Sequence, residues 1–417
     1  MTVPKLRFKE FSGDWISENI QGLVDSKILD KPMDGNHGEI HPTSADYVDD
    51  GIPFVMATDI FNGQVYLNKS KKIPKTQADS LRKGFSLEGD ILLTHKATIG
   101  NVAIVPKLNT PYVMLTPQVT YYRILNKEKL VPEFLKSNFE SPYFQNELLA
   151  LCTGATRLYI GISEQRKIPF RYCCTEEQTK IASFLSAVDE KISQLNQKHR
   201  LLCDYKQGMM QKLFSQQLRF KADDGSKFGE WEETTLGEIG IFLKGKGIPK
   251  ADIVENGLTP CIRYGELYTH YGEVISKVIS ATNVEIQNLV LSKANDVLIP
   301  ASGETQIDIA TASCVLKGEI ALSGDLNIFR TEENGIFLSY LIRSHLKMQI
   351  AQLAQGNSVV HLYSSQLKGV QLNLPCLEEQ TKIANFLSAI DQKIEIVAQQ
   401  IQQAKMWKKG LLQQMFV

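Results

Sequence analysis

The 417-residue sequence lacks a net charge, because 46 Lys and Arg residues are balanced by 46 Asp and Glu residues. No global field therefore draws the chain to nucleic acid or to a membrane, and a DNA-binding surface would have to be a local patch. An apolar run of transmembrane length and an N-terminal apolar signal segment are also absent. We therefore expect a cytoplasmic protein with no membrane partner.

Paired cysteines and metal-ligand motifs are missing as well. The seven cysteines are an odd number and include no Cys-x-x-Cys pair, so we expect free thiols in a reducing compartment. His37 and His41 share a segment with Asp34 and Glu39, which we interpret as a solvated loop because no cysteine lies nearby. The sequence therefore predicts no metal site.

Motifs for cofactor binding and catalysis are absent too. Residues 240–247 come close to a phosphate-binding P-loop, but Gly247 replaces the hydroxyl residue that would hold Mg²⁺, and Pro249 follows where the helix should run. No glycine-rich dinucleotide fingerprint, no His-Glu-x-x-His motif and no Asn/Asp-Pro-Pro-aromatic tetrapeptide of amino-methyltransferases occurs. We therefore predict a non-catalytic chain that has no cofactor of its own.

The chain does contain a long internal repeat. Residues 176–192 and 378–394 are offset by 378 − 176 = 202 positions and differ at only three of them. Apolar residues recur at steps of three and four through both copies and beyond, which predicts two long helices with a coiled-coil seam. The predicted seam residues are Ile181, Leu185, Val188, Ile192, Leu195, Leu202, Ile383, Leu387, Ile390, Ile394, Val397 and Ile401. The alternative is that each helix packs only on its own domain.

The organisation before each helix is also repeated. Leu6-Arg7-Phe8-Lys9 opens the chain, and Leu218-Arg219-Phe220-Lys221 follows the first predicted helix. We predict an α+β fold with two globular domains separated by two long antiparallel coiled-coil helices, and an internal pseudo-two-fold repeat. The predicted division is 1–175 (first domain), 176–217 (first helix), 218–377 (second domain) and 378–417 (second helix).

Short β-branched or aromatic runs bounded by Gly, Pro and Asn predict strands within the two domains. The predicted strands are 52–57, 90–94, 101–105, 118–122, 260–264, 296–299 and 326–329. Helices are expected at 133–139, 143–151 and 337–353, and a long surface loop at 31–50. Both domains thus follow one plan with different polar residues.

At this point the sequence resembles the specificity subunits of Type I restriction–modification systems over nearly its whole length. The resemblance rests on the twin Glu-Glu-Gln-Thr-Lys-Ile helix starts, the heptads after them and the Arg-Phe-Lys…Gly…Trp segment that opens the second half. It also rests on Gly-Asp-Ile-Leu-Leu at 89–93 and Ile-Arg-Tyr-Gly-Glu-Leu at 262–267.

The resemblance implies that the two globular domains are target-recognition domains, each reading one half of a split site on double-stranded DNA. The helices would act as a spacer and would dock two modification (methyltransferase) subunits. S-adenosylmethionine would bind to those subunits, and restriction (motor-nuclease) subunits would complete the complex.

Charge and side-chain type nominate the residues that contact DNA. In the first domain they are Lys69, Lys71, Lys72, Lys75, His95, Lys96 and Thr98, with Arg82 and Lys83 in the same basic cluster. In the second domain they are Lys244, Lys246, Lys250, Arg263, Tyr264, Ser302 and Gln306. Arg157, Tyr159, His361 and Tyr363 are weaker candidates. The alternative for the 69–83 cluster is a solvated basic face.

Two other functions remain open from the residues alone. The chain could be a stand-alone methyltransferase or nuclease with its own recognition domain, which labelled methyl donor and DNA would reveal. It could also be a two-headed scaffold that binds proteins and not DNA, which binding to a random DNA library would rule out.

Overall fold

The computed structural model describes residues 4–36, 41–154, 158–356 and 359–416. The chain divides into two compact units: unit 1 comprises Met1–Asn196 and Gln399–Val417, and unit 2 comprises Gln197–Ala398. The division falls inside the two long helices rather than at their ends. Three residues discussed above, His37, Glu39 and Arg157, lie outside the described residues.

Unit 1 contains twelve strands in its described part: β1 (Ile16–Asn19), β2 (Met33–Asp34), β3 (Ile52–Val55), β4 (Ile60–Phe61), β5 (Gln64–Val65), β6 (Lys71–Ile73), β7 (Phe85–Ser86), β8 (Ile91–Lys96), β9 (Thr98–Ile104), β10 (Val113–Leu115), β11 (Val119–Tyr122) and β12 (Pro169–Tyr172). Its helices are α1 (Ile20–Asp25), α2 (Lys75–Ser80), α3 (Pro132–Glu140), α4 (Pro142–Ala150), α5 (Ile162–Gln165) and the first half of α6 (Thr175–Phe214). Two four-stranded sheets, in the orders β6-β3-β10-β7 and β2-β11-β8-β9, form the body of the unit.

Unit 2 contains thirteen strands in its described part: β13 (Glu232–Thr235), β14 (Gly240–Lys244), β15 (Ile253–Val254), β16 (Thr259–Ile262), β17 (Val274–Ile275), β18 (Ser280–Thr282), β19 (Val297–Pro300), β20 (Ser302–Gly303), β21 (Ser313–Val315), β22 (Ala321–Leu322), β23 (Leu326–Thr331), β24 (Val360–His361) and β25 (Gln371–Leu374). Its helices are α7 (Leu236–Ile239), α8 (Glu266–Thr269), α9 (Gln306–Ile309), α10 (Gly335–Arg343), α11 (Lys347–Leu353), α12 (Ser364–Leu367) and the first half of α13 (Leu377–Met415).

The sheets of unit 2 repeat the plan of unit 1. The order β14-β23-β19-β21-β17 extends the unit 1 order β2-β11-β8-β9 by one strand, and β15-β18-β16-β22 contains the counterpart of β6-β3-β10. Strand β3 of unit 1 and its counterpart β16 of unit 2 each pair parallel with one neighbour and antiparallel with the other. The predicted α+β fold on one repeated plan is therefore confirmed.

The long helices α6 and α13 are unbroken over 40 and 39 residues. Within unit 1 they pack antiparallel: the ring of Phe184 lies 6.0 Å from that of Trp407, and Leu195, further along α6, shares a surface cavity with Gln400, further back along α13. The helix bounds differ from the predicted ones by one to three residues, which is ordinary for helix ends.

The predicted seam residues are shared between the helix pair and the domain cores. In unit 1 the buried seam residues are Ile181, Leu185, Val188, Leu195 and Ile401, and in unit 2 they are Ile383, Leu387, Ile390 and Val397, while Ile192, Leu202 and Ile394 are half-buried. Ile181 packs in one cluster with Phe134 of α3 and Leu411 of α13. Each helix thus packs on the other helix as well as on its own domain, so the alternative of packing only on its own domain is wrong.

A buried ion pair ties the start of each long helix to the chain segment before its domain. The Arg7 guanidinium donates to both carboxylate oxygens of Glu177 at 2.7 Å, and Arg219 donates to those of Glu379 at 3.1 and 2.8 Å. Both carboxylates are fully buried. The hydrogen bonds raise the pKa of both arginines above the ordinary value. The repeated Arg-Phe-Lys motif therefore locks each domain onto its helix.

Three predicted elements need correction. The single helix expected at 337–353 is two helices, because the backbone leaves helical geometry at Ser344 (φ −114°, ψ −79°), whose hydroxyl bonds the Tyr340 carbonyl, and α11 begins only at Lys347. Residues 31–50 are not a surface loop throughout, since β2 pairs with β11 and Asp34 and Asn36 are buried. Strand β8 extends to Lys96, two residues beyond the strand predicted at 90–94, with Ala97 alone forming the turn at φ +66° before Thr98 opens β9.

Candidate nucleic-acid interface

In unit 2 one loop joins the ends of three strands. The β22–β23 loop, Ser323–Asp325, bonds the end of β16 through Ser323 N–H and Ile262 O (3.0 Å) and the end of β19 through Ala301 N–H and Asp325 O (2.7 Å). The end of β14 approaches so closely that a Cβ on Gly245 would lie 1.8 Å from the Ser323 carbonyl oxygen. The residues that follow these three strands therefore share one end of the unit.

The strand ends of unit 2 bring together most of the side chains nominated from the sequence. Lys244 ends β14 and Lys246 follows it, and both are exposed. Arg263 and Tyr264 follow β16 and are half-exposed. Ser302 follows β19 but is buried, and its hydroxyl bonds His361 Nδ1 at 3.1 Å. Gln306 and Lys250 lie further along the two connections, with Gln306 Nε2 donating to the Ala354 carbonyl and Lys250 exposed on a 3₁₀ turn.

Unit 1 repeats this geometry with its β10–β11 loop, Thr116–Gln118. Thr116 N–H bonds the Val55 carbonyl at the end of β3 (3.0 Å), and His95 N–H bonds the Gln118 carbonyl at the end of β8 (2.9 Å). A Cβ on Gly35, after β2, would lie 2.0 Å from the Leu115 carbonyl oxygen. Backbone contacts thus make Asp34, Met56 and Lys96 of unit 1 the counterparts of Lys244, Arg263 and Ser302 of unit 2.

The side chains at the strand ends of unit 1 differ from those of unit 2. Lys96 and Thr98 are exposed on either side of the β8–β9 turn. His95 is buried, and its Nδ1 lies 2.9 Å from the Thr120 hydroxyl. Lys96 forms a β-bridge with Tyr159, whose ring is 48 % exposed, so Tyr159 joins the same end. His361 and Tyr363 occupy the matching position in unit 2 beside Ser302.

The basic cluster at 69–83 is dispersed by the fold. Lys71 pairs with Phe54 near the end of β3, whereas Lys72 and Lys75 lie progressively toward the opposite end of that strand. Lys69 sits over the Phe61 and Tyr66 rings at 5.5 and 5.3 Å. Lys72 and Lys75 engage acidic partners, with Lys75 2.5 Å from Asp79. Lys83 pairs with Asp34 beside the β10–β11 loop, and Arg82 is exposed.

Two features of the site escaped the sequence reading. A carboxylate three residues after the first residue beyond β3 and beyond β16 holds the loop: Asp59 accepts from Met56 N–H at 2.9 Å, and Glu266 from Arg263 N–H at 3.1 Å. This spacing is the helix-start pattern and could have been found. Tyr268, near Gly303, gave no signal of its own. Burial raises the pKa of its hydroxyl, while the positive charge of Arg263 lowers it.

Other sites considered from the sequence take different forms in the structure. Residues 240–244 of the P-loop-like segment are strand β14, and only a 3₁₀ turn at Lys250–Asp252 follows. Among the described residues, no three His, Cys, Asp or Glu side chains are grouped so as to hold a metal ion. No helix in the described ranges is both long and apolar enough to cross a bilayer.

Known proteins with the same organisation are DNA-specificity proteins. The family described as Type I restriction modification DNA specificity domain matches residues 33–202 and again 229–406. The chain is 26% identical over 421 aligned residues to the Type I restriction enzyme MjaVIII specificity subunit of Methanocaldococcus jannaschii, covering 96% of this chain and 89% of that one. It is 25% identical over 377 residues to the putative MjaX specificity subunit of the same organism, covering 87% and 85%.

Solved structures agree on the fold. The crystal structure of the Type I restriction–modification system S subunit from M. genitalium superimposes with a TM-score of 0.59 at 16% identity, over 100% of this chain and 99% of that one. A chain from a study of complex assembly and conformational transition of the type I R-M system gives 0.55 at 17% identity, over 95% and 96%.

Two domains built on one repeated strand order, each joined to the long helices, define a class of DNA-specificity proteins with a duplicated domain. The chain belongs to the Type I restriction modification DNA specificity domain family, since that family matches both halves of it. The resemblance found in the sequence is thereby confirmed.

Proposed function

We propose that the chain is the sequence-specific DNA-binding subunit of a Type I restriction–modification complex and that each unit reads one half of a bipartite double-stranded target. The observation that carries this proposal is the pair of equivalent strand ends: one backbone arrangement presents different polar side chains in the two units. Exposed polar groups at strand ends are suited to base edges and phosphates.

The proposal is tested with the chain assembled with its modification subunits. A random DNA library should yield a split motif in which two short specified blocks flank unspecified bases. Recovery of no sequence preference would contradict DNA reading and would favour a protein scaffold.

Catalysis, in this proposal, belongs to the partner subunits. S-adenosylmethionine binds to the modification subunits, and restriction subunits join for cleavage. Purified chain incubated with labelled methyl donor and DNA should transfer no label, and transfer should begin when the modification subunit is added. Transfer by the chain alone would identify a stand-alone methyltransferase instead.

The proposal includes two copies of the modification subunit, and the surface of the long helices favours this stoichiometry. Each helix carries an exposed aromatic ring three residues before a glycine, Tyr205 before Gly208 in unit 2 and Trp407 before Gly410 in unit 1. The rings are 51 % and 54 % exposed. A Cβ built on either glycine meets no atom within 4 Å, although glycine in a helix costs about 1 kcal/mol relative to alanine. A large exposed ring next to a glycine with open space above it suits close packing of a partner subunit.

Replacement of these rings tests the stoichiometry. We expect Trp407→Ala or Tyr205→Ala to remove one modification subunit and the double variant to remove both, because aromatic side chains dominate interface energies. Mass measurement of the assembly reads this directly, and Ile396→Ala, another exposed apolar change on α13, serves as the control. A wild-type complex with a single modification subunit would contradict the proposal.

A further inference from the structure

At the equivalent strand ends, the two units carry their free positively charged side chain after different strands. Two internal strands end at the interface in each unit, β3 and β8 in unit 1 and β16 and β19 in unit 2. In unit 1 the residue after β3 is Met56, which packs against the cluster that contains Ile52 and Phe54. In unit 2 its counterpart is Arg263. At this matched position, unit 2 therefore carries a positively charged side chain, whereas unit 1 carries an apolar side chain that packs against its own domain.

The second matched pair is reversed. At the end of β8 in unit 1, the ammonium of Lys96 is exposed. Its counterpart after β19 in unit 2, Ser302, is buried and hydrogen-bonded to His361. Unit 1 therefore presents its positive charge at the end of β8, in the sheet β2-β11-β8-β9. Unit 2 presents its positive charge after β16, in the sheet β15-β18-β16-β22.

Both cations are free to bind a ligand. Neither Lys96 nor the Arg263 side chain makes a hydrogen bond or ion pair with another described residue, whereas the guanidinium groups of Arg219, Arg330 and Arg343 in unit 2 all donate to protein acceptors. The neighbouring carboxylate of Glu266 is engaged by other groups: its two oxygens accept from Arg263 N–H and from the Ser280 hydroxyl (2.6 Å). Glu266 thus fixes the loop and leaves the guanidinium available.

The position of these cations separates them from the other lysines. Lys244 is the last residue of the edge strand β14, Lys246 lies just beyond it, and both are exposed, which suits contact with phosphates. Arg263 follows the internal strand β16 and is half-buried. Arg and Lys both match the O6 and N7 acceptors of guanine in the major groove.

We infer that Lys96 and Arg263 are the specificity-determining cations of the two units and that each recognises a guanine from a different strand end of the shared frame. This inference rests on the proposed function, and it adds which strand end reads in each unit. The half-site of unit 1 is read from the end of β8, and that of unit 2 from the end of β16.

The test uses the complex with its modification subunits. Sequencing of methylated DNA first gives the wild-type motif; a wild-type complex with no motif would refute the proposed function rather than this inference. Arg263→Ala should then lose the requirement for one guanine in one half-site, and Lys96→Ala for one guanine in the other half-site. Removal of a bidentate interaction should reduce discrimination at that position about 5- to 150-fold.

Modified bases sharpen the assignment. Replacing the affected guanine by 7-deazaguanine removes the N7 acceptor, so it should weaken binding by the wild-type complex and leave the Arg263→Ala complex unaffected. The matched controls are Lys107→Ala and Lys317→Ala, which remove one charge from exposed lysines at the opposite ends of β8 and β19. Both controls should retain the wild-type motif.

Three results would overturn the inference. Arg263→Ala and Lys96→Ala could relax the same half-site, could weaken all sequences equally as phosphate contacts do, or could leave the motif unchanged while the variants keep the wild-type melting temperature. Each result would move base reading to other side chains while leaving the DNA-binding function in place.

Discussion

The two units differ least in their buried ion pairs and most at their strand ends. Asp90 and Arg123 of unit 1 form the same two-pronged pair as Asp296 and Arg330 of unit 2, with N–O distances of 2.7 to 2.9 Å in both. At the strand ends the matched residues share no chemistry, as Met56 and Arg263 illustrate. The frame is therefore held by buried pairs and backbone bonds that the reading side chains do not enter.

Exchanging one head should have the largest effect. Replacement of residues 10–150 by the corresponding segment of a related chain should change one half of the methylated motif and leave the other intact, because Lys96 and the strand ends of unit 1 lie within it. Sequencing of methylated DNA from cells that carry the chimera with its partners measures this. Exchange of 232–355 is the matched experiment and should change only the other half. Simultaneous loss of both halves would contradict independent readers.

Removing the arginine at the start of each unit should cost stability. Arg7→Ala leaves the buried Glu177 carboxylate without its partner, which should lower the free energy of unfolding by about 3 kcal/mol. Arg219→Ala should cost about 1 kcal/mol less, because Trp231 Nε1 still donates to Glu379 at 3.1 Å whereas the buried Trp15 Nε1 has no hydrogen-bond partner in the described structure. Urea unfolding measures both.

The neighbouring carboxylates Glu176 and Glu378 provide the control for this pair. Both are exposed, and their replacement by Ala should cost less than about 1 kcal/mol, through the helix dipole and, for Glu378, a 3.9 Å ion pair with Lys382. Equal losses for all four variants would mean that the buried pairs contribute nothing specific.

A smaller difference should separate the lysines that link the long helices to the domains. Lys408 of unit 1 bonds Asp189 and Glu140 at 2.7 Å, and Lys136 bonds the same two carboxylates. Lys206 of unit 2 bonds Asp391 and Glu273 at 2.7 and 2.8 Å without a second lysine. Lys206→Met should therefore destabilise the chain about 1 kcal/mol more than Lys408→Met. Thermal unfolding at two salt concentrations tests this, and the opposite order would refute it.

The smallest effect is expected at the edge strand of unit 2. Lys244→Ala together with Lys246→Ala should weaken binding to all DNA sequences alike and make the salt dependence shallower by roughly one unit for each phosphate that is no longer bound. Binding titrations at several salt concentrations give the slope, with Lys317→Ala as the control. A changed motif would instead assign base reading to these lysines.

The sequence predicted the frame of each unit far better than the site upon it. The heptads of α6 and α13 and the apolar runs of β8, β11, β19 and β23 are local patterns, so the sequence alone reveals these elements. The break between α10 and α11 left no proline or glycine to announce it. His95 and Ser302 looked available because they are polar and follow strands, but each is buried by a partner distant in sequence, Thr120 and His361.

Long-range pairing also explains why the basic residues at 69–83 do not form one cluster in the fold. Spacing along the chain cannot reveal that Lys83 meets Asp34 or that Lys69 covers Phe61 and Tyr66. Lys96 and Arg263 were both nominated as DNA contacts, yet nothing local distinguished their free side chains from their engaged neighbours.

Gly35 and Gly245 allow the chain after each edge strand to lie directly against a backbone carbonyl oxygen, that of Leu115 at the end of β10 and that of Ser323 in the β22–β23 loop. Because both contacts are made by main chain, the side chains next to the glycines do not form them. The exposed Lys244 and Lys246 beside Gly245 take no part in this contact. Their replacement should therefore leave the fold equally stable, so the architecture is kept while the exposed side chains vary.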